Sequence, residues 1–149
     1  MKKILAVFLT GIFLLGMTGS ALASSAAEAT ALVDKATAFY KANGKDKAFA
    51  EFSNSKGPFV KGELYIFILD LNGVVLAHGA NEKLINKDLS QLKDVDGKLF
   101  IQEALQTAKS KGSGWVDYKW TNPTTKKVEG KSTYVKKVDE IIFCCGIYK

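Results

Sequence analysis

The residues best suited to binding chemistry in this 149-residue chain gather in one stretch. Trp115, Tyr118 and Trp120 fall within six residues, and Lys131 and Tyr134 follow on the next apolar-alternating run. Large rings with polar tips beside an ammonium suit a small pocket for a polar or anionic molecule. On a strand, Tyr118 and Trp120 share one face and Trp115 takes the other. The same residues also suit plain sheet-face packing, which on residue types alone is the commoner use. The single histidine, His78, ends a predicted strand. It serves either as a hydrogen-bonded structural residue or as a contact at the pocket margin.

Catalytic chemistry finds less support. A Ser-His-Asp or Cys-His pair would have to use His78, and no G-x-S-x-G turn is present. Neither H-E-x-x-H nor C-x-x-C occurs, and there is no P-loop or G-x-G-x-x-G. The sequence therefore names no catalytic residue, metal ligand or cofactor. Asp94-Val95-Asp96-Gly97 resembles part of a calcium loop but lacks the downstream ligands, so it reads as a helix cap. Cys144 and Cys145 are adjacent and point to opposite faces of a strand. A bond between them would strain the backbone, so two buried thiols are expected. A vicinal disulfide or redox switch is the alternative in an oxidising compartment.

The elements that must hold these residues follow from pattern. Lys2 and Lys3, the apolar run Ile4 to Met17 and the small-residue site Ala21-Leu22-Ala23 read as a secretory signal peptide over 1–23, cleaved after Ala23. That leaves one domain, 24–149, in the periplasm or outside the cell, with no stable membrane insertion after cleavage. The net charge is +6, lowered by two when Lys2 and Lys3 leave, and there is no Arg. Lysines scattered among carboxylates, without the Arg that reads bases and phosphates, argue against nucleic-acid binding. Residues 25–43 have helical periodicity, stopped by Asn43-Gly44, and a short helix is predicted at 46–53 with Asp46 as its cap. The run 63–70 is apolar on both alternations and reads as a covered strand; Asn72-Gly73 turns it into a hairpin with 74–78. A long connection, 79–97, carries one helical turn near Glu82–Ile85 and leads to a helix opened by Asp96-Gly97 over 98–110. Strands at 115–120, 131–138 and 141–148 close the chain as a meander. The fold class is α+β with an antiparallel sheet.

At this point the residues resemble a known family. Asp70-Leu71-Asn72-Gly73-Val74-Val75-Leu76-Ala77-His78, Asp94-Val95-Asp96-Gly97-Lys98, Gly114 to Trp120, Asn122-Pro123, Lys131, Tyr134 to Lys137 and Gly146-Ile147-Tyr148 are similar, in order and spacing, to single Cache domains. These are extracytoplasmic sensor modules of bacterial and archaeal receptors. The resemblance implies a PAS-like antiparallel sheet of about five strands behind a long N-terminal helix, with a second helix packed on it. It also implies a pocket for carboxylates, amino acids or related metabolites. By this analogy Tyr118, Trp120, Lys131 and Tyr134 line the pocket and His78 stands at its margin. Cys144-Cys145, before the closing Gly-Ile-Tyr, departs from the family pattern. The expected function is a small-molecule sensing module, not an enzyme, that acts through a separate membrane receptor or transporter. The alternative is an interaction protein with a vestigial pocket.

Overall fold

The computed structural model describes residues 24–149. The expected signal peptide lies outside the described residues. Helix α1 spans Ala26–Asn43. Ser25 caps it, its side chain accepting from Glu28 N while the Glu28 carboxylate accepts from Ser25 N. That reciprocal pair satisfies two N–H groups that no helical carbonyl can reach. Gly44, at φ +81°, ends α1 and leads directly into α2, Lys45–Phe52. Asp46 is not the cap expected of it. The N-cap is Gly44, which leaves Asp46 inside the first turn.

The sheet has six antiparallel strands: β1 Val60–Lys61, β2 Leu64–Asp70, β3 Val75–His78, β4 Ser113–Thr121, β5 Val128–Val138 and β6 Ile141–Tyr148. Their order is β1-β2-β6-β5-β4, with β3 also paired to β2. Five strands carry the expected pattern, and the two-residue β1 is the addition. Strand β2 is buried along nearly its whole length because both of its faces are covered, which is why it lacks alternation. The Asn72-Gly73 turn is tied by the Asp70 carboxylate, which accepts from Asn72 N and Val74 N.

One sheet face packs on α1 and α2 through Val33, Phe52, Ile66, Ile68, Phe143 and Cys145. The other face carries Tyr65, Phe67, Leu69, Val116, Tyr118, Val135 and Cys144. It is covered by α3, Phe100–Lys111, and by the connection 79–99, which holds one 3₁₀ turn at Glu82–Leu84. Cys144 and Cys145 are free, buried thiols on opposite faces, as strand alternation requires.

Helix α3 starts later than the Asp96-Gly97 signal suggested, and its N-cap Leu99 makes no side-chain bond. The Asp94 carboxylate instead fastens its own turn and the neighbouring strand. Oδ1 accepts from Asp96 N and Lys98 N, and Oδ2 accepts from Lys119 N on β4. The Asp94-Val95-Asp96-Gly97 segment is thus a clip between the connection and the sheet edge rather than a helix cap.

Candidate ligand-binding site

The site is set by strand register. Lys131 on β5 pairs with Tyr118 on β4 and with Tyr148 on β6. Directly paired residues point to the same side of a sheet, so all three side chains lie under α3 and the connection. Tyr65 and Phe67 reach this face from β2, and His78, opposite Phe67, reaches it from β3. The helix adds Phe100, which stacks flat on Tyr118 with ring centroids 4.3 Å apart and planes at 9°. Trp120, half-buried, leans on Phe100 at 5.4 Å.

Lys131 is the unusual member. Its side chain is 1 % exposed, and Nζ donates to Tyr65 Oη at 2.7 Å. Ring centroids of Tyr65, Tyr148, Phe67 and Tyr118 surround Nζ at 4.3, 5.0, 5.6 and 5.9 Å. No carboxylate forms an ion pair with it among the described residues. Each ring contact contributes about 0.5–2 kcal/mol to holding the cation. Removing an ammonium from water costs several kcal/mol after relaxation. Desolvation prevails and brings Lys131 down to about 7. Burial likewise holds the Tyr65 and Tyr118 hydroxyls well above their ordinary range, so both stay protonated.

His78 is buried at the end of β3, its ring 5.0 Å from Tyr65 and 5.6 Å from Phe67. Nδ1 accepts from the backbone N–H of Ala80 and of Asn81. Two donors aimed at Nδ1 place the proton of the neutral ring on Nε2. Burial, with Lys131 nearby, lowers His78 to about 3, so the ring is neutral at ordinary pH. It holds the first residues of the connection and also lines the cavity.

Of the five residues expected at the pocket, the structure brings together Lys131, Tyr118, Trp120 and His78. Tyr134 is not among them. It stands three residues from Lys131, an odd separation, so its side chain passes to the opposite face. There it packs with the α1-side core and lies 5.4 Å from Trp115. Sequence reasoning missed Tyr65, Phe67 and Phe100. The first two lay hidden in a strand apolar on both alternations, where only a tyrosine among aliphatics hinted at a polar neighbour.

The hollow is narrower than the ring cluster suggested. Tyr65, His78, Leu84, Leu89, Phe100 and Trp120 are among the residues lining a hollow of about 270 Å³, part of it open to solvent; Lys131 is not in its lining and borders a second hollow with Tyr118, Asp94, Asp96 and Asp117. The centre of a water molecule can move over only about 20 Å³ of it. The stacked Phe100 and the roof leucines of the connection take up the remaining room.

The family profile of single Cache domain 2 matches residues 25–147. The chain belongs to the single Cache domain 2 family. The methyl-accepting chemotaxis protein McpP of Pseudomonas putida is 33% identical over 72 residues, 48% of this chain. That stretch is 13% of McpP, so the chain spans a small part of this receptor. Two solved structures are similar over most of the Cache domain. A periplasmic sensor domain of a chemotaxis protein has 26% identity and a TM-score of 0.63, covering 80% of this chain and 87% of that one. A Cache chemosensory domain described for carboxylic acid recognition has 28% identity and a TM-score of 0.64, covering 80% and 85%. In the similar proteins such domains are sensor domains, of a chemotaxis protein in one solved structure and within a sensor histidine kinase of Rhizobium johnstonii that is 32% identical over 76 residues. Among the described residues, no helix is long and apolar enough to cross a membrane.

Proposed function

We propose that this Cache domain binds a small monocarboxylate against Lys131, outside the cytoplasm, and passes the occupied state to a membrane receptor or transporter. The observation that carries the reading is a fully buried ammonium with a hydroxyl and four rings around it and, among the described residues, no carboxylate ion-paired to it. A buried charge without a counter-ion is costly, and a carboxylate guest would supply the missing partner. The carboxylic acid recognition described for a similar Cache domain supports this choice of ligand class. Tyr118 and Trp120, with Phe100, would pack the short apolar part of the guest. The Asn81–Leu92 stretch, whose Leu84 and Leu89 form the roof, would lift to admit it, because the hollow as it stands has room for about one water.

A thermal-shift panel of one- to four-carbon monocarboxylates and amino acids tests the reading. A binder present at about 100 times its Kd stabilises the folded state by about 2.7 kcal/mol. Lys131→Gln should remove that shift. A panel that leaves the melting temperature of the wild-type chain unmoved at about pH 6 sinks the proposal.

A further inference from the structure

We infer that this domain takes up a proton together with its carboxylate, so that Lys131 makes it a joint reader of ligand and pH. The inference rests on the carboxylate reading and goes beyond it by naming a second ligand. Its ground is the composition of the walls around Nζ. Strand β2 presents the Tyr65 phenol, β4 the Tyr118 phenol, and β6 the Tyr148 phenol and the Cys144 thiol. Burial holds all four groups protonated and uncharged. Cys145 lies on the far side of the same strand and is also held protonated by burial. From β3 comes His78, neutral for the reason given above. The adjoining hollow adds Phe100, Ile101, Leu84 and Leu89, none of which titrates. On its outer side Lys131 borders a second hollow with Asp94, Asp96, Asp117, Lys98, Lys119 and Lys149; Asp96 and Asp117 are ion-paired to Lys119 and Lys149, and Asp94 accepts from backbone N–H groups. Glu63 is the one carboxylate that acts on Lys131 from a distance. Its oxygens already accept from Ser24 N and from the Asn122 side-chain amide.

Among the described residues no carboxylate is ion-paired with Nζ, and without a guest the amine is partly deprotonated near neutrality. A carboxylate seated against Nζ changes that balance, since an opposite charge at contact distance favours the ammonium. A ligand that prefers the protonated form must draw a proton in as it binds. The guest is ionised at every pH above about 5.5, so it contributes no pH dependence of its own in this range. Affinity should hold steady below neutrality and weaken by about tenfold per pH unit above it.

Two measurements test this on the purified protein, with acetate as the probe. Isothermal titration calorimetry from about pH 6 to 9, in paired buffers of different ionisation enthalpy, reads affinity and proton uptake together. Expected are a Kd rising about tenfold from pH 8 to 9 and uptake approaching one proton per acetate. NMR of the ligand-free protein carrying ¹³C-labelled lysine should show one side-chain resonance, absent in Lys131→Gln, that titrates near neutrality. Acetate binding at pH 6 with a Kd flat to pH 9 overturns the coupling and leaves the carboxylate reading standing. A Lys131 resonance still charged above about pH 9.5 overturns the coupling by itself. No acetate binding at pH 6, where Lys131 is charged, overturns the coupling together with the reading beneath it.

Discussion

Gly146 makes room for Lys131. The glycine sits on β6, between the strand that carries the lysine and the strand that carries Tyr65. A Cβ at Gly146 would collide with Lys131 Cε and Thr133 Oγ1, both on β5. The backbone there needs no left-handed conformation, so space is what requires the glycine. The lysine stem crosses this gap to bring Nζ to Tyr65 Oη. Gly146→Ala should therefore act on the site and the fold together. We expect a loss of about 1–3 kcal/mol in urea unfolding, the usual cost of overpacking a dense interior, and loss of the carboxylate thermal shift. An alanine variant with unchanged stability and binding would show that the lysine has another route.

Lys131→Met should separate function from stability. The variant removes a buried charge and keeps most of the apolar stem, so the ligand-free protein should gain about 1–3 kcal/mol at about pH 6. Carboxylate stabilisation should vanish. Paired denaturation curves with and without acetate read both effects, and a less stable variant would contradict the view that the ammonium is held against desolvation.

Acid should destabilise the fold through His78. Its folded value of about 3 lies below the ordinary 6.5, so the unfolded chain binds the extra proton first. The stability it contributes is complete above about pH 6.5 and declines as pH falls towards 3. His78→Asn should flatten that part of a stability-against-pH curve. The same variant should loosen residues 79–81, whose N–H groups at Ala80 and Asn81 lose the Nδ1 acceptor. Hydrogen exchange at these amides checks the second effect.

The two faces of the sheet predict opposite outcomes for Tyr118 on β4 and Tyr134 on β5. Tyr118→Leu removes the ring stacked on Phe100 inside the cavity and should weaken acetate binding by about tenfold or more. Tyr134→Leu acts on the α1 side and should leave the Kd within about twofold. If Tyr134→Leu instead cost as much binding as Tyr118→Leu, the assignment of the site to one face would be wrong.

Asp94 should act as a clip. Its carboxylate accepts from Lys119 N and Lys98 N, and those bonds hold it below the usual carboxylate range. Asp94→Ala should speed hydrogen exchange at Asp96, Lys98 and Lys119 while exchange in α1 stays unchanged.

The sequence by itself determined the elements. Among the described residues, helical periodicity, the Asn72-Gly73 turn and the closing apolar runs place three helices and five of six strands within a few residues, because local propensity and burial pattern act over neighbouring positions. Spacing alone also put Tyr118 and Trp120 on one face and Trp115 on the other. The capping roles of Asp46 and Asp94 were misread because a carboxylate near a helix start has several backbone donors within reach, and packing chooses among them. Only the tertiary structure decided which strands lie side by side, and therefore which faces meet. The order β2-β6-β5 brings Tyr65 to Lys131 across 66 positions of sequence, with Gly146 between them. It also sends Tyr134 through the sheet, away from the site. The physical reason is that a strand's alternation fixes which side chains share a face, while long-range pairing fixes what that face looks upon.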